Sequence, residues 1–466
     1  MRFLQTATAT ATLTLLLCGA PVQPAWSQDH ERSIADLAQD ARTLLTEGQA
    51  EEAIKIYRQA LDRAPEEPDL WVELGEAYRS AMRLPDAIAA FRRTIELRAD
   101  HELAQLALAE SFRQLANFEQ AQQLLEAAAQ AHPESAAPPF ALGRIFTELQ
   151  LYDDAAEALL TASRLDPNNI AVRVFLASTY RARNELDAAI RELDRVIAQE
   201  RDHALAYHLR GSIYADRNEP AKALSDAERV VALEPDNILG RSLLAKILIR
   251  EGQCEAGAAH LEKILVVEPN HTEALSLLAR AYYCAGRADE AARVRARFAE
   301  LAEEDQTRRE NRVQTDHLVR EAAGHAAAGQ PNRALEVLQR ALEQDPTNDA
   351  AYAHLSRILY AAERYEVARE AAAKALELNP YRSDALYVLG LTLAKLGDLD
   401  GAREALVQTT LISPLDAQAL FALSQIYLEL DDRQRALEAL EAAVVLEPEE
   451  ENYSRALASA RDSGGP

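Results

Sequence analysis

The 466 residues are 48% apolar and 27% charged, the composition of a folded globular chain and not of a disordered one. Fifty Lys and Arg stand against seventy-five Asp and Glu, and a net charge of -25 repels phosphate backbones and anionic lipid, so nucleic acid is not expected as a partner. Three cysteines, Cys18, Cys254 and Cys284, are too few for a disulfide scaffold and lack the paired spacing of a zinc module, which leaves side-chain packing to make the core. At the start, Met1-Arg2 leads into an uncharged apolar and Thr/Ala stretch that ends at Ala20, followed by Pro21, Pro24 and the small-residue pattern Ala25-Trp26-Ser27. Residues 1–27 thus read as a cleaved signal peptide with a linker over 28–33, and a periplasmic or secreted protein is expected. The apolar run is short for a membrane span and no later segment approaches about eighteen apolar residues, so no transmembrane segment is expected. A lipid anchor at Cys18 would need a small residue just before it, and the run is Leu15-Leu16-Leu17-Cys18.

From residue 34 onward the sequence repeats. Pro65, Pro133, Pro167, Pro235 and Pro269 fall on one grid of period 34, and Pro346, Pro380, Pro414 and Pro448 on a second grid of the same period. Twelve residues before each grid point stands an alanine, from Ala53 and Ala87 to Ala402 and Ala436, with Gly257 the single exception. Twenty-four residues before each point the residue is again small: Ala41, Gly75, Ala109 and Gly143 begin the series. Between these markers apolar residues recur at helical spacing, as in Trp71, Leu74, Tyr78 and then Ile88, Phe91, Ile95, so each unit is two amphipathic helices joined by a turn. Gly48, Gly252, Gly286, Gly329 and Gly397 mark that turn. The small residues let the paired helices approach, and the proline closes the second helix by excluding helical geometry from the residue before it. Pro85 and Pro220 fall in the first turn of second helices, where a missing N–H costs nothing.

Trp71, Leu74, Gly75, Tyr78, Ala87 and Phe91 carry almost the whole pattern of the tetratricopeptide repeat, and the chain resembles that family from residue 34 to 450. Twelve units follow: eight make an N-terminal array over 34–305, and four a C-terminal array over 315–450. Units 1 and 9 depart most, with Asp40 and Glu321 where Leu is usual, as suits the outer ends of two stacks. The resemblance implies an all-α fold, an α-solenoid wound as a right-handed superhelix, with first helices lining a concave face. Residues 451–466 would supply a capping helix and a tail. Between the arrays, 306–314 displaces the second grid by nine residues. No Gly or Pro lies between Ala288 and Ala323, and Arg and Glu interleave with Val294, Phe298 and Leu301, so one long helix is expected there, the alternative being a charged loop open to trypsin at Arg308-Arg309.

The family places positions 2, 5, 9, 12 and 13 of each unit on the concave face, and these hold Arg113, Arg144, Arg181, Lys246, Arg250, Arg280 and Tyr283 in units 3 to 8. A basic inner stripe in an acidic chain implies an acidic or C-terminal peptide as partner, since the guanidinium fork fits carboxylates. In units 9 to 12 the same face is mostly apolar, including Val319, Leu391 and Leu428, and Tyr360, Tyr387 and Phe421 are the expected anchors for a partner helix or an apolar segment, the alternative being that the C-terminal capping helix folds over part of this trough. Family stacking sets the end of one unit's first helix beside the start of the preceding second helix, which makes Cys254 and Cys284 neighbours and a disulfide expected between them.

No catalytic constellation accompanies the repeats. The sequence has no phosphate loop, dinucleotide-type glycine pattern, paired-His zinc helix or haem attachment motif, so no cofactor or metal is expected. The closest histidines, His203 and His208, are five apart on different helix faces, and Glu303, Glu304 and Asp305 read as a solvated face. The expected function is a non-catalytic scaffold binding an extended peptide or partner helix in its groove. The alternative is an accessory subunit of an envelope assembly or enzyme complex, as in polysaccharide export or outer-membrane biogenesis. An intrinsic hydrolase or transferase would need a non-repeat domain to hold its site, and none remains once the repeats are subtracted.

Overall fold

The computed structural model describes residues 33–462, so the segment 1–27, Cys18, the linker up to residue 32 and residues 463–466 lie outside the described residues. All the regular structure described is helical. Seven two-helix units come first: α1 (Ile34–Thr46) with α2 (Ala50–Arg63), α3 (Pro68–Ser80) with α4 (Leu84–Leu97), α5 (Glu102–Gln114) with α6 (Phe118–Ala131), α7 (Ala137–Glu148) with α8 (Tyr152–Leu165), α9 (Ile170–Ala182) with α10 (Leu186–Gln199), α11 (Ala204–Asp216) with α12 (Pro220–Leu233), and α13 (Ile238–Arg250) with α14 (Cys254–Val267). The eighth first helix, α15 (Thr272–Cys284), leads into the 40-residue α16 (Ala288–Ala327), which is both the second helix of unit 8 and the first of unit 9. Then come α17 (Pro331–Gln344), α18 (Asp349–Ala361), α19 (Tyr365–Leu378), α20 (Ser383–Leu396), α21 (Leu399–Ile412), α22 (Ala417–Glu429), α23 (Arg433–Leu446) and the terminal α24 (Glu451–Asp462).

The turn inside each unit has one backbone geometry whatever the residue. Gly48, Gly252, Gly286, Gly329 and Gly397 have positive φ, and so do Met82, Ala116, Gln150, Asn184, Asn218, Glu363 and Asp431 at the same register in the remaining units. The amide of the following residue then reaches back over the helix end, as Gln49 N to Leu44 O and Arg83 N to Tyr78 O, both 2.8 Å, and satisfies a carbonyl the helix leaves open. In the sequence this turn is marked only in the units where it holds glycine. The scattered histidines also find a role: His101, His203 and His271 are N-caps whose Nδ1 accepts from the Ala104, Ala206 and Ala274 amides.

Within a unit the small residue of the first helix lies over the large one of the second. A Cβ at Gly75 would overlap the Phe91 ring, and one at Gly143 or Gly390 would overlap Leu159 or Leu406. Gly257 replaces the usual alanine because Ile249 reaches across from α13 into the space a Cβ would take. Within each array consecutive first helices touch, α1 with α3 and on to α13 with α15, then α16 with α18 and on to α20 with α22, while consecutive second helices splay apart. First helices therefore line the concave side of an α-solenoid.

Residues 306–314 lie inside α16, where Arg309 pairs with Asp305 at 2.6 Å and Gln306 donates to Glu310 at 2.8 Å, each one helical turn apart. The long helix carries the chain back onto its own beginning. α21 packs against α4, Leu411 lies on the core of units 1 to 4, the Tyr381 hydroxyl donates to the Met82 carbonyl, and the Asn117 side-chain amide donates to Ile412 O at 3.4 Å.

Candidate protein-interaction surface

On the concave side of units 2 to 4, α3, α5 and α7 enclose a hollow of about 300 Å3. Alanines, Leu103 and Phe140 are among the residues that line it, and Leu103 is 66% exposed. Glu110 is also in the lining: Arg113 donates to it through two nitrogens at 2.9 and 2.8 Å, and Arg144 lies 3.6 Å away from the next unit. Burial pushes the Glu110 carboxyl up, but the Arg113 hydrogen bonds and the charges of Arg113 and Arg144 outweigh it and hold that carboxyl below its ordinary value. Arg113 also reaches Glu148 at 2.7 Å, and its guanidinium is held charged by these carboxylates. Arg144 is the looser cation, with its guanidinium over the Phe175 ring at 6.0 Å.

The other expected cations share this inner face, and most of them bridge neighbouring units. Arg181 pairs with Asp216 at 3.2 Å, Lys246 with Glu273, and Arg250 donates to Ala215 O at 3.0 Å and to the Asn218 side chain. The stripe is thus partly neutralised by the carboxylates of adjacent repeats. Its field still acts on His208, whose imidazole is pushed down by burial and then by the charges of Arg181 and Lys246. Nothing in the spacing of His208 pointed to that position between two cations. Arg280 and Tyr283 are different: among the described residues neither side chain has an ion-pair or hydrogen-bond partner, and Tyr283 is 78% exposed.

In the C-terminal array the expected aromatic anchors are half-buried. Tyr360 packs on Tyr365 with centroids 5.6 Å apart, Tyr387 lies against the α20 to α22 core, and burial pushes its phenol up. Phe421 is covered by Tyr453 of α24, centroids 4.9 Å apart, so the terminal helix occupies that end of the trough. Tyr360 and Tyr387 are left as its accessible part.

Cys254, buried at the start of α14, and Cys284, exposed at the end of α15, are joined sulfur to sulfur with Cα atoms 5.9 Å apart. The bridge closes a loop of 30 residues and ties unit 7 to unit 8. Replacing Cys284 by Ser is expected to lower stability by about 2–4 kcal/mol, mainly through the freed unfolded chain. Mass spectrometry of the native protein after alkylation without reductant should find no free thiol; two modified thiols would overturn the bridge.

Sequence patterns described as Tetratricopeptide repeat match residues 39–102, 106–170, 242–304, 355–419 and 387–451, and further patterns of the same description match 147–213, 325–373 and 204–237. No curated protein matches the chain. Among solved structures it is similar to YrrB, described as a TPR protein with an unusual peptide-binding site, at 22% identity over 40% of this chain and 95% of that one, with a TM-score of 0.33. It is likewise similar to MamA, at 22% identity over 37% and 95% of the two chains with a TM-score of 0.34. A tetratricopeptide repeat protein from Parabacteroides merdae aligns at 18% identity over 53% and 98%, with a TM-score of 0.42.

Proposed function

The chain belongs to the tetratricopeptide repeat family, a family of protein-binding repeats, and from that premise we propose that it is an exported, non-catalytic scaffold holding an acidic extended peptide in the groove of its N-terminal array. The observation that carries this reading is the hollow of units 2 to 4, where exposed Leu103 and half-buried Phe140 flank the loosely held Arg144. Apolar walls offer the contact area, and a guanidinium 3.6 Å from Glu110 can turn to a ligand carboxylate at little cost. Backbone groups of an extended peptide would stay accessible to such side chains along the inner face. Export is supported by the leader-like residues 1–27 and by a cysteine pair suited to an oxidising compartment. No helix among the described residues is long and apolar enough to cross a membrane.

The test is affinity capture from an envelope fraction with the wild type, Arg144→Glu and Tyr360→Ala/Tyr387→Ala. Charge reversal at Arg144 should reduce capture of a specific partner by about tenfold, while the tyrosine variant retains it. Undiminished capture by Arg144→Glu would overturn the groove, and loss with the tyrosine variant alone would move the site to the C-terminal trough.

A further inference from the structure

Counting from the start of each unit, its twenty-fourth and twenty-seventh residues lie on the second helix and receive the helix that follows. In eleven units both are at most 1% exposed, from Tyr57 and Ala60 in the first to Leu440 and Ala443 in the last. The covering helix is the next unit's first helix, or α24 after unit 12, where Leu457 and Ala460 lie on Leu440. Unit 8 breaks the rule. Its second helix runs straight on as α16, so the first helix of unit 9 is carried away along the axis and, among the described residues, no following helix is laid over 288–299. The residues at the two receiving positions are Arg295, exposed, and Phe298, half-buried. Between them and α15 lies an open groove of about 910 Å3 whose lining also includes Ala292, Ala296, Arg280 and Tyr283.

We propose that this groove is a docking site for an amphipathic partner helix with an alanine- and leucine-rich face and carboxylates along its edge, seated where a ninth first helix would otherwise stack. Shape and size follow from the array itself: every other second helix accepts a helix here, and α24 supplies the pattern of small and leucine residues that fits. Charge selects the occupant. The lining contains two arginines and no Asp or Glu, and among the described residues Arg280 and Arg295 have no carboxylate partner, whereas Arg113, Arg181 and Lys246 on the inner face each pair with one. Position 24 is apolar in all the other units, and Arg295 there sets a second cation beside Arg280 in a groove lined by no carboxylate. The Cys254–Cys284 bridge fixes the end of α15 against α14, which holds the groove wall in place before binding.

The site is separate from the hollow of units 2 to 4, and the test keeps them apart. Two synthetic amphipathic peptides share one Ala/Leu face and carry either glutamate or lysine on their flanks, and their binding to the full chain is followed by fluorescence anisotropy. The glutamate peptide should bind about tenfold more tightly, and Arg280→Glu with Arg295→Glu should reverse the preference, while Arg144→Glu leaves it unchanged. Both arginines are exposed, so circular dichroism should show the variants fully helical. Equal binding of the two peptides, no binding of either, or a preference indifferent to the arginines would overturn the proposal. So would a wild-type dimer in light scattering that Arg295→Glu dissolves, because the occupant would then be a second copy.

Discussion

Replacing Phe91 by Ala is expected to cost about 3–5 kcal/mol, among the largest losses open to a single side chain in this protein. The ring is fully buried on α4, fills the space that Gly75 leaves on α3, and belongs to the core shared by units 1 to 4. Little can collapse into its place, since α3 already approaches as closely as a residue without Cβ permits. Urea unfolding followed by circular dichroism measures the loss, and hydrogen exchange should place it chiefly in units 2 and 3, because each repeat is held mainly by its neighbours, with α21 adding a smaller contact on α4. The partner substitution Gly75→Ala should cost about 1–3 kcal/mol by overpacking, yet be close to neutral beside Phe91→Leu, which reproduces the Ala109 and Leu125 pair of the next unit. Equal costs in the two backgrounds would show that the two residues are not the coupled contact described. At the corresponding position of unit 8, Arg295→Ala should be nearly silent.

Placing proline at Gln306 is expected to remove about 3 kcal/mol from α16 and to break it between the arrays. No residue over 302–314 is buried, so that segment is held by its own backbone hydrogen bonds and by pairs such as Arg309 with Asp305, and nothing tertiary can repair the gap. The arrays should keep their separate cores while their relation changes. The contacts of Tyr381 with Met82 and of α21 with α4 depend on a rigid rod of about 60 Å to return the chain to its start. Small-angle scattering should therefore report a larger radius of gyration for Gln306→Pro, and trypsin should cut it quickly at Arg308-Arg309 into two folded halves. If the wild type is cut as fast, the segment is the charged loop and not a helix.

Much of this protein is legible in its sequence because a repeat states each structural rule twelve times. The alanines twelve residues before each grid point, the small residues at Ala41, Gly75 and Ala109, and the closing prolines specify two helices and their contact from local spacing alone. The uninterrupted run from Ala288 to Ala323 likewise leaves one helix as the simplest continuation. Local sequence could not reveal the left-handed turn at Met82 or Glu363, whose side chains disfavour it, since that geometry is imposed by the packing of the two helices it joins. The family register places the concave residues, but whether a cation there is free depends on carboxylates in the adjacent repeat: Arg181 meets Asp216 across 35 positions, and Arg280 meets none among the described residues. The sequence leaves Phe421 either an open anchor or a surface under the terminal helix, and the packing of Tyr453 on it decides for the second. Arg295 stands in the sequence as one departure from an apolar position, and only the straight course of α16 makes it the wall of an uncovered groove. Periodicity is a property of neighbouring residues and can be read from them, whereas exposure and pairing depend on what lies above a residue, which is decided where distant helices meet.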